Sequence, residues 1–309
     1  MRRAIVITLA ILMTLGGGVL FAGGQAEADP DEVRIGLAVS TLANPFFVDL
    51  ADGAEEAADE LGVELIVVDS EDDSSREADN MQDLIQQQVD VLLVNPTDAD
   101  AIVPSIQQAN AQDIPVITLD RSADGGEVIS HIASDNVAGG EMAAEHLIEL
   151  LGGEGRVVEL QGIPGASAAR ERGEGFNNVV AGNDAIEVVA QQTANFNRGE
   201  GLDVFQNILQ ATDDIDGVFA HNDEMILGAL EAAQSAGVLD DMFLVGFDAI
   251  DDAIAAIQDG TLDATVAQQP ALIGRLGVEA AVEYLDTGSI DSNIPVELQL
   301  VTPDNVGDF

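Results

Sequence analysis

From residue 33 onward the apolar positions fall into two alternating rhythms. Short runs rich in branched residues, VRIGLAVS at 33–40, ELIVVD at 64–69, VLLVN at 91–95 and PVITLD at 115–120, have the length and composition of buried strands. Between them, 46–61, 75–88 and 101–110 carry apolar residues at the three- and four-residue spacing of an amphipathic helix. Asn44-Pro45 opens the first of these with a capping residue and a proline suited to the first turn. The rhythm then restarts, with strands predicted at 156–161, 187–193, 217–220, 243–247 and 264–268. Helices at 136–151, 169–180, 198–210, 223–236, 249–259 and 271–286 alternate with them. Such alternation means right-handed crossovers and parallel sheets covered on both faces. Two sets of strands on this scale predict two doubly wound α/β lobes rather than one sheet of about ten strands. A single closed barrel fits less well, because His131-Ile132-Ala133 follows Val128 with no helix between.

The first 28 residues break the rhythm. Arg2 and Arg3 precede a nearly uninterrupted apolar run from 4 to 20, followed by small residues and then acidic ones. That is the order of a cleaved export signal, with 1–28 removed, and the run is short and glycine-rich for a retained span. Composition adds a second feature. The 309 residues hold 57 acidic and 10 basic side chains, for a formal net charge of −47, and every basic one is arginine. A surface of that sign repels phosphate backbones and anionic bilayers, so the sequence predicts no nucleic-acid partner. Loss of all lysine together with acidic excess fits life at high salt, where screening shortens self-repulsion. An ordinary acidic secreted protein is the alternative. With no cysteine, neither a disulfide nor a thioether lipid anchor is available.

Several chemistries are missing. A P-loop requires lysine. Gly152-Gly153-Glu154-Gly155 lies between a helix and a strand, the reverse of the order a dinucleotide site needs. The three histidines, His131, His146 and His221, are scattered without metal-ligand spacing, and no cofactor is expected. No nucleophile elbow occurs, and carboxylate pairs argue nothing in so acidic a chain.

Ligands of parallel sheets bind beyond the carboxyl ends of the strands. The residues predicted there are Asn44, Phe46 and Phe47, then Asp120 and Arg121, Arg170 and Arg172, Phe196 within Asn195–Asn197, Asn222 within His221–Asp223, Asp248, and Gln268. Amides, carboxylates and arginines hydrogen-bond hydroxyl groups, and phenylalanine faces pack on the C–H faces of a sugar ring. The set therefore suits a neutral monosaccharide. Taken singly, Phe46 reads more readily as core, and Asp120-Arg121 equally as a structural ion pair.

The segments VSTLANPFFVDLADGA, LLVNPTDADA, IPVITLDR, GEVISHIASDNVAGG, ELQGIPGASAARERGEGF, FAHNDEMILGAL and VGFDAIDD, in this order, resemble the periplasmic ribose-binding family that serves bacterial ABC sugar importers. The resemblance runs from 33 to 301, nearly the whole chain after the leader. It implies a type I periplasmic binding protein: two Rossmann-like lobes, 31–134 with 269–297 and 135–268 with 298–309, joined by hinge crossings near 133–135, 268–270 and 294–298. It implies a monomer that binds a monosaccharide, D-ribose foremost, delivers it to a membrane permease, offers the same surface to a chemoreceptor, and catalyses nothing. Allose, galactose, xylose and signalling furanoses remain as alternative ligands. A sugar-responsive transcription regulator shares the lobes, but it would carry a basic DNA-binding helix pair where this chain has a leader. The ligand contacts that carry over are Asn44, Phe46, Phe47, Asp120, Arg121, Arg172, Phe196, Asn222, Asp248 and Gln268. Arg172 is expected to reach the sugar, while Arg170 is expected to pair with Glu171 or Glu174 or to anchor its loop.

Overall fold

The computed structural model describes residues 33–309, so the expected leader lies outside the described residues. The first half opens with β1 (Arg34–Val39), α1 (Pro45–Leu61), β2 (Glu64–Asp69), α2 (Ser74–Gln86), β3 (Val91–Val94), α3 (Val103–Asn110), β4 (Val116–Leu119) and β5 (Ser130–Ser134). The second comprises α4 (Asn136–Leu150), β6 (Gly155–Gln161), α5 (Ser167–Val180), β7 (Ile186–Thr193), α6 (Arg198–Ala211), β8 (Gly217–Ala220), α7 (Asp223–Ala236), β9 (Phe243–Asp248), α8 (Asp251–Gln258) and β10 (Ala264–Ala267). The chain ends with α9 (Pro270–Thr287), β11 (Asn293–Val296) and β12 (Gln299–Val301).

These strands form two six-stranded sheets, ordered β11-β5-β4-β3-β1-β2 and β12-β10-β9-β8-β6-β7. Every pairing is parallel except β10 with β12. Apart from β11 and β12, the five strands of each sheet repeat one order, which reverses between β1 and β3 in the first sheet and between β6 and β8 in the second. A reversal of strand order leaves a crevice at the carboxyl ends of the strands, and doubly wound folds bind ligands there. The chain passes between sheets three times: after β5, after β10 and between β11 and β12. The two-lobed architecture expected from the sequence is therefore present.

Three strands were not anticipated. β5 follows β4 through residues 120–129 without a helix, yet the two are parallel neighbours. β11 and β12 are short edge strands with mostly exposed or half-buried residues, so neither displays a buried apolar run. The helices match the predicted positions with small shifts at their ends, and α4 stops at consecutive left-handed glycines, Gly152 (φ 70°) and Gly153 (φ 95°). Among the described residues no helix is long and apolar enough to cross a membrane.

Candidate functional site

The carboxyl ends of both sheets meet at a pocket enclosing about 230 Å³ of empty space, lined by Asn44, Phe46, Phe47, Asp120, Arg121, Ala168, Arg172, Phe196, Asn222 and Asp248. Nine of the ten residues singled out from the sequence are in that lining; Gln268 stands just behind it, donating from Nε2 to Asp248 Oδ1 (3.0 Å).

Local structure explains each placement. Asn44 and Asn222 are the N-caps of α1 and α7, accepting from Phe46 N and Met225 N (both 3.0 Å). Capping uses Oδ1 and leaves the side-chain NH₂ of each out of the cap, and in Asn222 it donates weakly to Phe196 O (3.4 Å). Asp120, Phe196 and Asp248, all non-glycine, have φ of 60°, 57° and 118°. Left-handed backbone at side-chain-bearing residues costs energy and persists only where surroundings enforce it, most often at functional sites. Here it turns three strand ends sharply toward one pocket.

Arg172 projects from α5, which lies close against α4. A Cβ on Gly140 of α4 would come within 2.2 Å of the Arg172 carbonyl oxygen, so glycine permits the approach. That contact places Asn136, at the start of α4, beside the guanidinium. Arg172 donates from Nε to Asn136 Oδ1 (2.8 Å) and from Nη1 to His221 O (2.6 Å) and Asp248 Oδ1 (3.4 Å), and its Cζ lies 3.8 Å from the Phe247 ring centre. His221 is itself fixed: Gly162 N donates to its Nδ1 (3.3 Å), so Nε2 carries the proton that meets Glu159 Oε1 (2.7 Å). Burial pushes the His221 pKa down; burial alone would raise that of Glu159, but the histidine bond brings it below the usual range. The pair is thus a neutral imidazole on a carboxylate, a support for the backbone that holds Arg172.

Arg121 is held differently. It donates from Nη1 to Pro96 O (3.3 Å), and its Cζ sits 5.0 Å from the Phe47 ring centre and 5.1 Å from that of Phe196. Its Nε lies 3.9 Å from Asp120 Oδ2 and has no hydrogen-bond partner within the protein. Asp120 accepts from Asn95 Nδ2 (3.3 Å) on Oδ2, while Oδ1 is buried and unpartnered, as is Gln268 Oε1. Burial raises the Asp120 pKa against the pull of Arg172 and Arg121, and burial lowers that of Arg121. Asp248 is pushed up to about 7, by burial above all, with Arg172 opposing. Asp223, behind it, is raised well above the carboxylate range by burial and by Asp248. Its oxygens accept from Thr265 Oγ1 (2.8 Å) and Ile250 N (3.0 Å), which ties down the turn after β9.

Sequence reasoning passed over the supporting groups: Asn95, Asn136, Ala168 and the carbonyls of Pro96 and His221. Asn95 and Asn136 stood at a strand end and a helix start, which was the available signal. One expectation is corrected. Arg170 pairs with neither Glu171 nor Glu174 but with Asp124, through Nη2 (2.9 and 3.0 Å), while its Nη1 does anchor the loop at Gly165 O (3.1 Å). The helix directs Arg170 away from the pocket and toward the other sheet's loop.

Two parallel α/β lobes around a small polar pocket define a solute-binding protein, and residues 35–289 match the family described as periplasmic binding protein domain. The chain belongs to that family. It is similar to the ribose import binding protein RbsB of Bacillus subtilis, 47% identical over 307 residues covering 98% of this chain and 99% of the relative. The ribose import binding protein RbsB of Escherichia coli is 51% identical over 290 residues, 94% of this chain and 97% of its own. Among solved structures, the Caulobacter myo-inositol binding protein bound to myo-inositol superposes with a TM-score of 0.87 at 33% identity, over 91% of this chain and 96% of that one. These relatives are binding proteins, and family membership points to a place outside the cytoplasm.

Proposed function

We propose that the chain captures D-ribose between its lobes outside the cytoplasm and delivers it to the membrane permease of an ABC importer, with no catalytic step. Its contacts are Asn44, Phe46, Phe47, Asp120, Arg121, Arg172, Phe196, Asn222, Asp248 and Gln268. The observation that carries the reading is the set of unpartnered buried atoms at the pocket, Asp120 Oδ1, Arg121 Nε and Gln268 Oε1. Two are acceptors and one is a donor, so a ligand that both gives and takes hydrogen bonds, as a polyhydroxylated sugar does, would satisfy them. Similarity to ribose import binding proteins at 47% and 51% identity supports ribose over other sugars.

In this reading the lobes divide at 134/135, 268/269 and 297/298, and Gln268, at a crossing, couples sugar contact to hinge closure. Ligand contacts from both lobes would then favour the closed form by their differential affinity. A cleaved leader at 1–28, a monomeric state and a second use of the closed surface by a chemoreceptor belong to the same proposal. So does adaptation to high salt: moving from 3 M to about 0.05 M salt, where screening weakens, should lower the melting temperature. A thermal-shift panel of ribose, xylose, allose and galactose tests the ligand. At about 100 times its dissociation constant, ribose should add roughly 2.7 kcal/mol of stability. A hexose shift without a ribose shift would reassign the ligand and leave the fold untouched.

A further inference from the structure

Outside the pocket, one edge of the cleft is closed by contacts that no ligand residue makes. The loop before α5 and the first turns of that helix, in the second lobe, meet the loops after β3 and β4 in the first. Ala99 N donates to Gly165 O (3.0 Å), Ser122 N to Ser167 Oγ (2.8 Å), and Arg170 holds both Asp124 carboxylate oxygens (2.9 and 3.0 Å). The pieces form a ring. Arg170 Nη1 also donates to Gly165 O (3.1 Å), and Asp124 N donates to Ala99 O (2.9 Å), so each partner is braced by the next. Among the described residues, Arg170–Asp124 is the only ion pair that joins the two lobes. At another point on the cleft rim the lobes offer each other like charges. The Asp49 carboxyl of α1 is raised by burial and then by Asp251, which belongs to α8 of the other lobe, and by Asp52.

We infer that the Gly165–Arg170 segment is a latch, a determinant of sugar retention that touches no sugar. The inference rests on the proposed sugar reading only for its binding readout. Gly165 makes the latch testable in a selective way. A Cβ there would lie 1.9 Å from Asp98 Oδ2 and 2.6 Å from Asp98 Cγ, both in the opposite lobe. Asp98 cannot swing aside freely, because its Oδ1 accepts from Asp100 N (3.0 Å) and Ala101 N (2.8 Å). The backbone of Gly165 is not left-handed, so alanine is tolerated within its own lobe and collides only when the lobes meet.

The experiment measures ribose dissociation by stopped flow and the radius of gyration by small-angle scattering, with and without ribose. It uses the full chain and the variants Gly165→Ala, Arg170→Ala, Asp124→Asn and the Arg170→Ala/Asp124→Asn double. Gly165→Ala should speed dissociation about tenfold or more and enlarge the molecule, while its melting temperature without ribose stays at the wild-type value. Arg170→Ala and Asp124→Asn should each speed release about two- to fivefold, as expected for a half-exposed pair. The double variant should be no faster than either single one. Those differences should fade near 1 M salt, where the screening length is about 3 Å. Unchanged release and dimensions in Gly165→Ala, or additive effects in the double variant, would overturn the latch. If wild type ignores ribose, the sugar reading fails by itself. Release and scattering are then compared with the sugar of the thermal-shift panel that wild type does bind: faster release and a larger Gly165→Ala molecule uphold the latch, and equal values overturn it.

Discussion

The two lobes bring similar residues to the pocket and hold them in different ways. The second lobe secures Arg172 with Asn136, the His221 carbonyl, Asp248 and the face of Phe247 before any ligand is considered. The first lobe gives Arg121 a single long hydrogen bond to Pro96 O and leaves Arg121 Nε and Asp120 Oδ1 unpartnered. One half-site is pre-organised; the other is completed only by groups from outside its own lobe, since Arg121 lies between Phe47 of its lobe and Phe196 of the other. Pre-organisation lowers the cost of binding, while unfilled polar capacity makes closure depend on what fills it. On the proposed reading, the second lobe would receive the sugar and the first would respond to it.

The comparison breaks most readily at the arginines. Arg172→Ala should cost about 3 kcal/mol of folding stability in urea titrations without sugar, because it strands a buried carboxylate. The low end of the usual range applies, since Asp248, with a pKa of about 7, can take up a proton. Arg121→Ala should abolish binding yet cost only about 1 kcal/mol, because it loses one long hydrogen bond and because burial of its charge offsets its attraction to Asp120. Equal losses would erase the distinction.

Next in size is a pH effect. The folded-state pKa of Asp248 is above its unfolded value, so the folded protein binds that proton more tightly. The group then destabilises fully above about 7 and ceases to do so below about 4, the unfolded pKa. Glu77, which burial also pushes up to about 7, acts in the same direction. His131, His146 and His221, whose pKa values burial lowers, push the other way, so the test is a difference. As pH rises from about 4 to about 7, stability without sugar should fall in wild type relative to Asp248→Asn and to Glu77→Gln, and equal profiles in wild type and variants would contradict the assignment. The smallest effect separates the supports. Asn136→Ala should weaken ribose binding about tenfold by freeing Arg172 Nε, a bond to a charged group. Asn95→Ala should weaken it only severalfold, because Asp120 already keeps an unpartnered oxygen.

Much of this was legible in the sequence. Strand and helix periodicities mark both lobes, and the rule that ligands lie beyond strand ends gathers residues from 44 to 268 into one set. Local pattern fails where structure depends on distant partners. β11 and β12 exist because sheet edges far away in sequence receive them, and their own residues are too short and polar to announce a strand. β5 hid because no helix separates it from β4. Arg170 found its carboxylate 46 positions away in the other lobe, whereas a sequence offers only neighbours. The left-handed turns at Asp120, Phe196 and Asp248 likewise follow from packing, since none of the three is glycine.

The central claim is that the pocket between the lobes takes one molecule of D-ribose. Isothermal titration of the purified chain at high salt, alongside Arg121→Ala, measures it most directly. The account predicts saturable heat at one ribose per chain, tighter than for xylose, allose or galactose, and no heat with the variant. Absence of ribose heat in the folded wild type, or undiminished binding by Arg121→Ala, would contradict it.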